Sequence, residues 1–209
     1  ADASVWGVKA TGYVTRVHDF IDARRCTFGQ CSKANATATD AFVFLQYDNQ
    51  PALLYGVDVS AHWLLGRSDR FGSVTATGWL SYVRGENRKT DDDLYHIMPL
   101  NGKLARVHAL GRWTNTVEFH VVDDKTRVSS VRNEVPTARY SLLNLRTSYE
   151  FEHVRLDLSV ENVFNRFYSL PLGGAYLGQG ASMSSKTIPW GISVPGAGRS
   201  IHVALSVDF

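Results

Sequence analysis

Apolar and polar residues alternate with a period of two along most of this chain, most cleanly at its end. Ile201, Val203, Leu205, Val207 and Phe209 project to one face of a strand, while Ser200, His202, Ala204, Ser206 and Asp208 project to the other. In a water-soluble sandwich the apolar face is core; in an outer-membrane barrel it meets lipid, with the terminal aromatic at the interface. The same criterion predicts about eight strands, over 5–21, 42–65, 73–83, 103–110, 116–122, 143–151, 154–161 and 201–209, the second with a kink at Pro51. No segment carries the period of a long amphipathic helix.

Each predicted strand has one greasier face. Trp6, Val8, Ala10, Gly12 and Val14 oppose Lys9, Thr11, Tyr13 and Thr15; Val74, Leu80 and Tyr82 oppose Thr75, Thr77 and Trp79. In the fourth strand Ala105, Val107 and Ala109 are read as the apolar face, with Arg106 and His108 turned inward. On this reading His62, His108, His120 and His202 all face the interior beside Arg, Asp and Glu.

The connections alternate in length. Short links at 66–72, 111–115 and 152–153 interleave with long polar ones at 22–41, 84–98, 123–137 and 166–198. Short turns at one end and long loops at the other are expected of an outer-membrane barrel with periplasmic turns and extracellular loops. Trp6, Trp63, Phe71, Tyr82, Trp113, Tyr149, Phe151 and Phe209 fall near strand ends, as an interfacial girdle requires.

Composition adds little. With 44% hydrophobic and 20% charged residues in 209, the chain looks ordinarily globular, but barrel strands need only about 9 to 11 alternating residues, so low hydropathy does not exclude a membrane. A net charge of +2 from mixed signs indicates no nucleic-acid partner. The start at Ala1, without Met or signal peptide, reads as a processed chain or a piece of a longer one. Cys26 and Cys31, close together in a polar loop, favour a local disulfide in an oxidising compartment over metal ligation or free thiols.

Enzymatic constellations are missing: the chain contains no GxSxG elbow, phosphate-binding loop, HExxH or CxxC, and no serine stands in a recognisable relation to a histidine. The chain is therefore read as no enzyme, with no cofactor. His96 and Met98, two apart, would face one side of a strand and suit copper, with Met183 the only other methionine. A lone HxM is a common accident, and no metal site is assigned.

The segment Val160-Glu-Asn-Val-Phe-Asn-Arg-Phe-Tyr168, a long Gly-rich stretch, and Pro195-Gly-Ala-Gly-Arg-Ser200 before the last strand resemble the C-terminal end of TonB-dependent outer-membrane receptors. Val17-His-Asp-Phe-Ile21 and Asn49-Gln-Pro-Ala-Leu-Leu-Tyr-Gly-Val-Asp58 resemble earlier strands of that family, so the likeness covers nearly the whole chain in order. It implies an all-β, antiparallel transmembrane β-barrel: residues 1–209 would be about eight C-terminal strands of a larger, 22-stranded type. On this resemblance the plug domain and TonB box would be absent from this chain.

The parent receptor would sit in the bacterial outer membrane, take up a metal chelate, foremost a ferric siderophore with copper or another scarce nutrient as further cargoes, and draw energy from TonB through its N-terminal region. Loop residues would make the substrate contacts, and the candidates are Tyr95, His96, Met98, Tyr176, Gln179, Met183 and Trp190. Phe209 would be the signal read by the barrel-assembly machinery, at the interface with outer-membrane lipid. The alternative is a self-contained eight-stranded barrel with a structural or adhesion role, whose narrow interior would have to pair many inward charges.

Overall fold

The computed structural model describes residues 5–26, 44–176 and 191–208. Its strands are β1 (Trp6–Cys26), β2 (Phe44–Ser68), β3 (Gly72–Asn87), β4 (Asn101–Leu110), β5 (Trp113–Val122), β6 (Tyr140–Glu150), β7 (Val154–Glu161), β8 (Ala175–Tyr176), β9 (Ile192–Ser193) and β10 (Ser200–Val207). Eight of them form one sheet in the order β1-β2-β3-β4-β5-β6-β7-β10, each antiparallel to its neighbour. β8 and β9, not anticipated from sequence, pair with each other inside the last long connection.

The turns at 69–71, 111–112 and 151–153 lie at one end of the sheet, and the last residues of β1, β3, β5 and β7, with the connections 88–100 and 123–139, lie at the other. This is the predicted division into short periplasmic turns and long extracellular loops. Among the described residues no pairing joins β1 to β10, so the sheet stays open at both edges. A self-contained eight-stranded barrel requires that pairing, because only closure satisfies every backbone group in lipid.

The apolar rows face outward. Following partners across the sheet, Trp63, Ala76, Arg106, Val117, Leu145, Val160 and Ile201 share one face. Val8, Val14, Leu104, Ile201, Val203 and Leu205 are each more than three-fifths exposed, whereas Val122, Tyr140 and Leu142 form a small buried cluster. A soluble sandwich would bury those valines and leucines; here they are positioned to meet hydrocarbon. No helix of the described residues is long and apolar enough to cross a membrane.

The opposite face is polar. Glu118 accepts from Asn144 Nδ2 at 2.9 Å and lies 3.3 Å from Lys103 Nζ and 3.6 Å from Arg146 Nη1. Glu161 continues the ladder to Arg146 at 4.0 Å and His202 at 3.9 Å. His62 and His120 share this side, as expected.

β4 departs from its expected orientation. Ala105 pairs with Glu118 and so faces the interior with Val107 and Ala109, while Arg106 and His108 lie on the outward face with Leu104 and Leu110. Both faces of β4 carry apolar and polar residues, so period-two reading could not orient it; its partners β3 and β5 do. A cation on the lipid face costs about 2–4 kcal/mol at the bilayer midplane and about 0–1 near an interface, so Arg106 calls for an explanation.

Two other features differ from expectation. Pro51 does not kink β2; instead β1 bulges against it, because Val17 pairs with Ala52 and Phe20 with Gln50, leaving His18 and Asp19 opposite a residue with no N–H to donate. The polar stretches 22–26 and 84–87, read as loop, are strand. β1 and β2 run 21 and 25 residues, roughly twice what a crossing needs, so their hairpin stands above the membrane on the loop side. There water wets both faces, and the hydrophobic alternation that marks a strand disappears.

Candidate functional site

The long-loop end is held by partly buried carboxylates. Asp92 accepts hydrogen bonds from Ser129 Oγ at 3.1 Å, Ser130 N at 3.0 Å and Val131 N at 3.1 Å. Burial works against its charge, but the Val131 and Ser130 N–H groups and the Ser129 hydroxyl outweigh that and hold the Asp92 carboxyl below the ordinary carboxylate range. Burial pushes Asp93 up, against the pull of Arg84 and Arg127 and with the help of the Asp92 and Glu86 charges.

Glu134 is the second clamp. It pairs with Lys125 Nζ and accepts from Ser129 N at 2.8 Å and His96 N at 3.1 Å. Lys125, only 1% exposed, also donates to Pro171 O at 2.9 Å. Three long connections, 88–100, 123–139 and 162–199, are thereby fastened to one buried ion pair.

Beside this clamp Asn87 Nδ2 donates to Asp22 Oδ2 and Gln50 Oε1, both at 2.8 Å, and Arg132 Nη2 approaches Asp22 Oδ1 at 3.4 Å. The Arg132 guanidinium lies 4.8 Å from the Tyr95 ring centroid and 5.3 Å from that of Tyr47, within cation–π range. Tyr95 stacks on His96 with centroids 3.8 Å apart, and a Cβ on Gly174 would stand 3.7 Å from Tyr95 Oη. Tyr47, Tyr95, His96 and Arg132 thus form an aromatic, cationic surface at the loop end.

The predicted contacts divide. Tyr95 and His96 are brought together; Met98 is not with them. His96 sits in a turn with φ of 61°, so the strand geometry that would aim it and Met98 to one side does not exist, and Met98 packs against the Val122, Tyr140 and Leu142 cluster beside Tyr168. Tyr176 lies in β8, where its backbone pairs with Ile192. Gln179, Met183, Trp190, Cys31 and Phe209 lie outside the described residues. Cys26, at the end of β1, is disulfide-bonded. Among the described residues no group of three or more His, Cys, Asp or Glu is placed to hold a metal ion.

The last connection shows why its sequence is what it is. Asn162, with φ of 50° and 3% exposed, accepts from Arg166 N at 2.8 Å and donates to Arg166 O at 2.8 Å and Ala197 O at 3.2 Å. Asn165 accepts from Arg199 N at 2.9 Å, which ties the exit from β7 to the approach to β10. A Cβ on Gly196 would stand 2.1 Å from the Tyr168 ring, so that ring fits only over glycine.

Residues 2–163 match the family described as TonB dependent receptor-like, beta-barrel. The chain belongs to the TonB-dependent receptor family. It therefore lies in the outer membrane of Gram-negative bacteria, in a family of transporters and receptors. Comparison with curated protein sequences found no match. Among solved structures it resembles the copper transporter OprC, at 22% identity and a TM-score of 0.79, covering all of this chain and 29% of OprC. It also resembles the FrpB iron transporter from Neisseria meningitidis, at 13% and 0.64, and a ferric enterobactin receptor, PfeA, from Pseudomonas aeruginosa, at 15% and 0.66. Both likenesses cover all of this chain, with 30% of FrpB and 29% of PfeA. The chain thus spans under a third of each of these proteins.

Residues that sequence reading missed are Asp22, Gln50, Asn87, Asp92, Lys125, Arg132 and Glu134. None belongs to a motif; a lysine or glutamate in a polar loop ordinarily reads as solvated surface.

Proposed function

We propose that this chain is the C-terminal part of the barrel of a receptor that takes up a metal chelate, a ferric siderophore in the first place. Plug and TonB contact would belong to other parts of the receptor, and the barrel-assembly machinery would insert it. The observation that carries the substrate class is the Arg132 guanidinium between Tyr47 and Tyr95 with His96 alongside. A cation framed by aromatic faces suits a large, anionic, partly aromatic complex, since it offers charge and stacking together.

Likeness to a copper transporter supports a second reading, copper uptake. The separation of His96 from Met98 weighs against a soft ligand pair in this part of the chain. The test is titration of the full-length receptor with a panel of ferric siderophores and with copper. The proposal expects one ferric siderophore to bind, Arg132→Ala and Tyr95→Ala to weaken it at least tenfold, and uptake by cells to need TonB. Copper binding that survives both substitutions, with no siderophore bound, would overturn it.

A further inference from the structure

The outward face of β4 carries a polar breach in a largely apolar surface. Arg106, His108 and Asn115 line a hollow of about 410 Å³ whose remaining walls are Phe71, Val74, Leu110 and Val117. His108 Nε2 donates to Phe71 O at 2.9 Å, which fixes the ring against the β2–β3 turn. Asn115 Oδ1 accepts from Thr147 Oγ1 at 2.8 Å, leaving its amide N–H groups for a ligand. Arg106 has no hydrogen bond or ion pair among the described residues.

Depth identifies the occupant. Arg106 is four residues from Leu110, where β4 meets the periplasmic turn, so it stands about 13 Å along the strand from that end, and roughly 9 Å in depth at a tilt of about 45°. The aromatic pair Trp113 and Tyr149, with centroids 4.6 Å apart, marks the interface on the adjacent strands. From that depth a guanidinium reaches downward along its own stem to the headgroup level. The groups found there are lipid phosphates, and a guanidinium binds phosphate through paired N–H donors.

We propose that this hollow seats the phosphodiester of an anionic phospholipid of the periplasmic leaflet, with Arg106 as the charge partner, Asn115 as a neutral donor and the acyl chains along Val74 and Val117. The inference rests on the barrel's membrane orientation and not on the identity of the transported substrate.

The test is native mass spectrometry of the full-length receptor in detergent, titrated with phosphatidylglycerol, with phosphatidylcholine and inorganic phosphate as separate arms. One phosphatidylglycerol should stay bound where phosphatidylcholine is stripped, and inorganic phosphate alone should leave no adduct. Arg106→Leu should lower retention at least fivefold, as should Asn115→Leu, which keeps the arginine and guards against a folding failure in the first variant. Arg16→Leu, on the outward face midway along β1, should retain lipid as the parent does. Equal retention by Arg106→Leu, or a change of oligomeric state on that substitution, would overturn the proposal, the latter by assigning the hollow to a second copy.

Discussion

Lys125 illustrates how one residue can organise a surface. A lysine 1% exposed is stable as a cation only because Glu134 and Pro171 O surround it. Lys125→Ala leaves the Glu134 carboxylate buried without a cation and should destabilise the loop cap by about 3–5 kcal/mol. Lys125→Met with Glu134→Gln should be far milder. Limited proteolysis of 123–139 in the folded receptor reads the difference. Asp92 supplies the pH dependence. Its folded-state pKa is depressed, so its contribution is fully present above the ordinary carboxylate pKa and is lost as pH falls through the depressed value. Protection of the Ser130 and Val131 amides, corrected for intrinsic exchange, should hold at neutral pH and drop in strong acid; pH-independent protection would contradict the clamp. None of this was legible in the sequence. Tyr95 and His96 could be chosen as aromatic loop residues, but Arg132 and Glu134 gain their roles from partners 37 and 38 positions away.

At the scale of elements, strands with one apolar and one polar face were readable, and β6, β7 and β10 match their expected faces because water and lipid select different residues on each. β4 was not readable, because an arginine and a histidine on the lipid side mimic an interior face. The stretches at 22–26 and 84–87 were missed because strands beyond the membrane lose their alternation. The Val160–Tyr168 segment was recognisable as a motif, but its cause emerges only in three dimensions. Gly196→Ala should hinder the return of the chain past Tyr168 and reduce the folded, heat-modifiable fraction; Gly196→Ala with Tyr168→Ala should restore it. If the single variant assembles like the parent, the contact has no such role. For β10, deletion of Phe209 is proposed to lower outer-membrane assembly while leaving the substrate affinity of assembled molecules nearly unchanged, measured on the full receptor.

For the whole molecule, the open sheet is the decisive feature. Its interior carries ion-pair ladders suited to a wide, wet lumen, its exterior exposes apolar rows, and β1 and β10 each present an unpaired backbone edge among the described residues. Unpaired edges cannot face hydrocarbon, since every backbone group there needs a partner. Both edges therefore require neighbouring strands. The most direct measurement is an electron cryo-microscopy structure of the receptor in nanodiscs. It should show β1 and β10 each hydrogen-bonded to a strand from outside residues 5–208, within a barrel much wider than eight strands. A closed eight-stranded barrel with β1 paired to β10 would contradict it.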